Sequence, residues 1–259
     1  MTTFLCETCG YNLSGVHAEP AALCPECGQP VLDSLPASHP GSPWQRHPGF
    51  ASWARTGWYS IFSPTRLFRS LSTAKVPRAL LTLNLLVAAA LIVAPFTGLF
   101  IGDWARSSRG QDPLIENLTY LASFLVQTLI VAAVLFALTL FDVYGITLYA
   151  RTKGWRLTSR TAWLVCAHAS AAWLVAGIVP LLLMANYYVL GTLVKIDFTG
   201  EVTRTSRGVS WTWQAVLGVG LPILGYLAGL FVFELIALKG ARVCKYANPP
   251  DARPTPDAA

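Results

Sequence analysis

"LTYLASFLVQTLIVAAVLFALTLFDVYGITLYA", residues Leu118–Ala150, runs for thirty-three positions with Asp142 as its only charged residue. As a helix rising 1.5 Å per residue it would be about 50 Å long, more than the roughly 30 Å of a bilayer's hydrocarbon core. Three further stretches of the same character lie at 79–101, 162–190 and 213–238. The chain as a whole is 54% hydrophobic and only 12% charged, a composition far from that of a soluble globular domain. The sequence therefore predicts an all-α polytopic membrane protein with about four transmembrane helices. The second and third spans exceed the core thickness, so they are expected to tilt or to extend beyond it.

Basic residues set the expected orientation. Arg46, Arg55, Arg66, Arg69, Lys75 and Arg78 precede the first span, Arg151, Lys153, Arg156 and Arg160 separate the second from the third, and Lys239, Arg242, Lys245 and Arg253 follow the fourth. The two remaining loops hold Arg106 and Arg109, then Lys195, Arg204 and Arg207. Fourteen against five places both termini and the middle loop in the cytoplasm. The net charge of +6 is then a signature of topology and of contact with anionic headgroups. The opening "MTTFLCETCG" has neither a basic start nor a long apolar run, so the first span is expected to act as its own insertion signal.

Ahead of these helices stands "CETCGYNLSGVHAEPAALCPECG", Cys6–Gly28. Cys6 and Cys9 are two residues apart, Cys24 and Cys27 repeat that spacing, and fourteen residues separate the pairs. Two C-x2-C pairs so arranged are the pattern of a tetrahedral Zn(Cys)4 site. Gly10 and Gly28 follow the second cysteine of each pair and can adopt the positive φ that a tight turn needs. One structural Zn2+ is the expected cofactor, because some thirty residues cannot bury enough surface to fold unaided, and a closed shell of four thiolates leaves no position for a reacting water. A redox pair would need a βαβ context, and disulfides an oxidising compartment. His17 and His39 are spare ligands, and Cys166 and Cys244 are read as a packing and a surface thiol. From Met1 to Gln45 there is no Lys or Arg, against Glu7, Glu19, Glu26 and Asp33, so no nucleic acid partner is expected. A protein partner, or the chain's own basic loops, suits this acidic module better.

These signals divide the chain into a zinc ribbon at 1–30, a flexible Pro/Ser/Gly-rich linker at 31–52, an interfacial amphipathic helix at 53–76, a transmembrane bundle at 77–246 and a disordered tail at 247–259. In the interfacial segment Ser63 and Pro64 form a helix start, Leu67, Phe68 and Leu71 share one face, Arg66 and Arg69 lie off it, and Trp53, Trp58 and Tyr59 sit at headgroup level. The phrase "IFSPTRLFRSL", Ile61–Leu71, followed by a multi-span region, resembles the Yip1-like membrane proteins. The ribbon is similar to the N-terminal zinc ribbons of various bacterial membrane proteins. The Yip1-like resemblance spans roughly Trp53 to Lys245 and implies a non-enzymatic role in membrane organisation or trafficking through protein partners, with no active-site residues to carry over; the expected location is a bacterial inner membrane.

Three ionisable residues lie within the spans, Asp142, His168 and Glu234. Each is costly in hydrocarbon. Counted from Arg151, Arg160 and Lys239 they lie at depths of roughly 13, 12 and 8 Å, close enough in level to form one pocket, as in a small transporter or channel. The competing expectation is that each is satisfied separately within the bundle. Gly225 and Gly229 put small residues on one face of the last span, favouring close packing within the bundle or between copies as a homo-oligomer. No GxSxG, HExxH, P-loop or GxGxxG signature points to an enzyme. The expected function is thus a non-enzymatic docking module on a helical lipid-bilayer anchor, with transport through Asp142, His168 and Glu234 as the alternative.

Overall fold

A computed structural model describes residues 4–14, 16, 22–107, 113–194 and 213–252. The fold is helical, with no strand among the described residues. After the cysteine segment come two 3-10 turns, Val31–Ser34 and Pro36–Ser38, and three helices, α1 (Pro43–Arg46), α2 (Phe50–Phe62) and α3 (Pro64–Arg69). The long helices are α4 (Arg78–Ser107), α5 (Pro113–Thr152), the pair α6 (Ser159–Ala169) and α7 (Trp173–Val194), and α8 (Trp213–Val243). Four stretches are long and apolar enough to cross a membrane: Arg78–Pro95, Asn117–Thr152, Ser159–Leu183 and Ile223–Val243.

The predicted third span, 162–190, is not one helix. A 3-10 turn at Ser170–Ala172 divides it. There the Ser170 N–H closes the last α-helical bond, to the carbonyl of Cys166, and its hydroxyl donates to the carbonyl of Ala167, a local alternative to continuing the ladder. The two over-long spans also meet different surroundings: in α5 17% of the membrane-length window is buried, against 72% across α6 and the start of α7. α5 presents most of its leucines, isoleucines and phenylalanines outward, Leu135 and Ile146 being buried, while α6 is enclosed by the chain.

The chain divides into two compact units. One comprises 84–136 and 173–232. Within it a Cβ at Gly225 would collide with the Pro180 ring and one at Gly229 with Ala176, so the small-residue face predicted on the last span is filled by α7 of the same chain. The ring of Trp173 stacks on that of Tyr226, centroids 6.1 Å apart.

The other unit comprises 1–83, 137–172 and 233–259. Here the expected flexible linker is ordered. Ser42 opens α1 as a reciprocal capping box with Gln45, Pro43 follows at the first helical position, and the Gln45 side chain also donates to the carbonyls of Ser72 and Lys75. Gly41, with φ +84°, turns the chain into this cap and donates to the carbonyl of Ser70 at 2.7 Å. The expected interfacial helix is likewise different. It is two helices, and the apolar face of Leu67, Phe68 and Leu71 is buried in protein while Arg66 and Arg69 are exposed. Pro64 does start α3, but Ser63 makes no capping bond. Gly240 explains the inward turn of α3, since a Cβ there would lie 2.7 Å from both Phe68 and Val165. α8 thus gives the Phe68 ring a close seat. The predicted disordered tail is ordered as far as Ala252, for reasons that lie in the cysteine segment; 253–259, His17 and the loop 195–212 lie outside the described residues.

Candidate metal centre

The two C-x2-C pairs fold alike. Cys6 donates its amide to the Tyr11 carbonyl and accepts at its own carbonyl from the Gly10 amide, both at 2.8 Å. Cys24 repeats both bonds, to Gln29 and from Gly28, at the same 2.8 Å. One residue outside each pair a single bridge closes the loop, Leu5 with Asn12 and Leu23 with Pro30. Gly10 and Gly28 have φ of +84° and +70°, the left-handed conformation predicted for them. Pro25 stiffens only the second loop.

Back to back, the loops bring all four sulfurs within 4.8 Å of one another. Cys6 lies 3.5 Å from Cys27, and Cys9 lies 3.7 Å from Cys24. A metal bound to four thiolates at about 2.3 Å spaces them tetrahedrally about 3.8 Å apart, so the site fits an ion with little movement. All six cysteines are free thiols, and no disulfide competes for these four. Among the described residues no other group of three or more His, Cys, Asp or Glu side chains converges in this way.

The thiols are electrostatically unequal. Burial pushes Cys24 up, but the amides of Cys27 and Glu26 and the adjacent Cys9 pull it further down, to about 7 from an ordinary 9. Burial drives Cys9 well above its usual value. Cys27 is also raised: the Gln29 amide lowers it, and burial with the neighbouring Cys6 outweighs that. Crowded thiols in a dry core resist ionising one after another. A dication at their centre would reverse that order and hold all four as thiolates.

A small apolar core backs the cluster: Phe4, Leu13, Val31, the inward cysteines and Ala252, with Val16 and Leu35 at its margin. Ala252 comes from the far end of the chain, beyond α8. Asn248 ties that end down, accepting from the Leu5 amide at 2.9 Å and donating to the carbonyls of Leu5 and Ser34 at 2.7 and 2.9 Å. Its own amide donates to Glu7 at 3.0 Å, and its carbonyl accepts from the Thr73 hydroxyl at 2.9 Å. Tyr246 lies flat against Gly10, with ring carbons 2.8 to 3.0 Å from where a Cβ would stand. Cys244, expected at the surface, is buried, its thiol pushed up to about 12 by that burial. Nothing in the composition of "NPPDA" signals this docking; Ser42, by contrast, is signalled by Ser42-x-x-Gln45 with Pro43 between them.

His39, a predicted spare ligand, turns away from the sulfurs. Its Nε2 lies 3.1 Å from Glu7 and its Nδ1 is 2.9 Å from the Arg69 carbonyl. Glu7 first, through its hydrogen bond, keeps His39 above the ordinary imidazole range.

Of the three intramembrane candidates the structure pairs two. Asp142 and Glu234 lie close enough to interact electrostatically. His168 is wholly buried and uses both ring nitrogens elsewhere, 2.9 Å from the Leu164 carbonyl and 3.0 Å from the Ser42 hydroxyl. A cavity of about 350 Å³ lined by Leu140, Tyr144, Leu148, Arg151 and Ser159 contains none of the three. No protein-family model, curated protein or solved structure matches this chain.

Proposed function

We propose that the chain is a membrane-anchored zinc-ribbon protein whose cysteine module is a structural and docking element with no catalytic part. The observation that carries this reading is the convergence of Cys6, Cys9, Cys24 and Cys27 within 4.8 Å on two matched loops. Bound zinc would supply the cross-link and the folding free energy that so small a core lacks. Cys6 and Cys24 are buried and Cys9 and Cys27 half-buried, which suits a closed shell. The four apolar helices are the anchor, spanning a bacterial inner membrane with both ends in the cytoplasm, as the distribution of basic residues supports. The first loop is occupied by Tyr246 and Asn248, so the face left for a protein partner is the second, where Leu23, Pro25 and Glu26 are exposed. Such a partner would serve membrane organisation or trafficking.

Zinc analysis of the full-length protein tests the first half: one equivalent, lost in Cys6→Ser and Cys24→Ser, is expected. Zinc-free wild-type protein that retains its fold would overturn it. For the docking half, cross-linking in native membranes should trap a protein through a photoreactive group at position 23 and not through one at position 246. The adjacency of Asp142 and Glu234 supports a second reading, a proton or cation site for transport. Ion flux in reconstituted vesicles, abolished by Asp142→Asn, would favour it.

A further inference from the structure

α2 is built inside out. Its sequence, "FASWARTGWYSIF", contains no Asp, Glu or Lys and a single cation, Arg55. A helix resting on a soluble protein buries its apolar stripe and gives its polar one to water. α2 does the reverse. Thr56 and Ser60 are its buried residues: the Thr56 hydroxyl accepts from the Trp44 amide at 3.1 Å, and the Ser60 hydroxyl donates to the His168 carbonyl at 2.7 Å. Gly57 rests against Ala171. On the outer face Phe50 is 81% exposed, Trp58 61% and Phe62 62%, and the Trp58 and Phe62 rings lie with centroids 4.1 Å apart. The outward face is therefore largely apolar and aromatic, with Arg55 its one cation, while the Thr56 and Ser60 hydroxyls are bonded inward.

The level at which α2 is held selects what covers that face. Its contacts, His168 and Ala171, lie no farther than the midpoint of the membrane-length stretch Ser159–Leu183, on the half that begins at Ser159. A chain that spans a bilayer through this stretch presents α2 to lipid, not to water or to a soluble protein. Trp and Tyr with Phe suit the boundary between headgroups and acyl chains, and Arg55 can extend to a phosphate. The lack of carboxylates removes repulsion from anionic headgroups.

We infer that α2 is seated in one leaflet of the membrane, with Phe50, Trp58 and Phe62 against the upper acyl chains. It enters and leaves the lipid on one side, unlike the spanning helices. The inference rests on the proposed membrane anchor and adds a lipid-binding surface to it. It also replaces the face of Leu67, Phe68 and Leu71, which the protein uses for itself.

The test uses full-length protein in vesicles of phosphatidylcholine and phosphatidylglycerol, labelled with a fluorophore at Phe62→Cys, Leu129→Cys or Asp251→Cys. Phe62 and Leu129 are both largely exposed, so neither change removes a packed side chain; Phe50→Cys is the second probe of α2. Unsubstituted protein gives the background labelling of the native thiols. Probes at 62, 50 and 129 should be quenched about twofold or more by nitroxides on the upper acyl chain and spared by aqueous iodide, with the reverse at 251. Iodide quenching at 62 and 50, or quenching there by neither reagent as under a protein partner or second copy, overturns the inference while 129 still reports lipid. Failure at 129 as well overturns the membrane anchor and the inference together.

Discussion

Cys6–Gly10 and Cys24–Gly28 share the same pair of hydrogen bonds, yet a Cβ added at Gly10 would meet the Tyr246 ring at 2.8 Å and one at Gly28 would meet nothing within 4 Å among the described residues. One loop is a contact with the chain's own tail; its twin is open. Backbone geometry suffices to aim two sulfurs, so the geometry is repeated. What the loops touch is set elsewhere, by Tyr246, Asn248 and Ala252, and that differs. The ribbon therefore has a structural side and a free side.

The largest effect should not distinguish the loops at all. Cys6→Ser and Cys24→Ser each remove a ligand, and both should lose zinc and with it folding free energy on the order of 10 kcal/mol. Limited proteolysis of the N-terminal module with zinc analysis would show this; loss in only one variant would mean that the pairs do not share an ion. Next in size, Asn248→Ala leaves the Leu5 amide and the Leu5 and Ser34 carbonyls without partners in a buried place, for about 2–3 kcal/mol. Faster alkylation of buried Cys244 would report the opening. Gly10→Ala and Gly28→Ala then sharpen the comparison. Both lose about 1 kcal/mol to a positive φ, but only Gly10→Ala must also displace an aromatic ring, adding about 1–3 kcal/mol. Equal melting temperatures for the two would show that Tyr246 does not seat on the first loop.

The smallest effect belongs to His39 and Glu7. The folded-state pKa of His39 is raised, so its contribution is complete below the ordinary value of 6.5 and disappears as pH climbs through the folded value. For a pair with partial solvent access it amounts to less than about 1 kcal/mol. A melt recorded across that window should lose its slope in Glu7→Gln.

Periodic and local features were legible in the sequence: the apolar lengths of the helices, the cysteine spacing, and the common face of Leu67, Phe68 and Leu71. The neighbour of each face was not. Periodicity states that Leu67 and Phe68 are covered, and Gly240 and Val165, both far along the chain, pack against the Phe68 ring. The tail is polar and proline-rich, as disordered segments are, but Asn248 folds because three backbone groups of the ribbon need its amide. His168 read as a member of an intramembrane polar cluster; its ring nitrogens instead meet the Leu164 carbonyl and, 126 residues earlier in the chain, the Ser42 hydroxyl. α2 was hidden for a different reason. Aromatic residues before a helix start look like an anchor for the next helix, and only the inward bonds of Thr56 and Ser60 show which way α2 itself turns.

Ala252 shares one apolar core with Phe4 and Leu13. A thread whose two ends are clasped together on one side of a curtain has pierced it an even number of times, whatever path it took between. In a chain that spans a bilayer as proposed, the clasp would fix parity: gaining or losing a single crossing would pull Asn248 away from Leu5. In such a chain the clasp would close only after the final helix had formed, because Asn248 and Ala252 follow it in sequence.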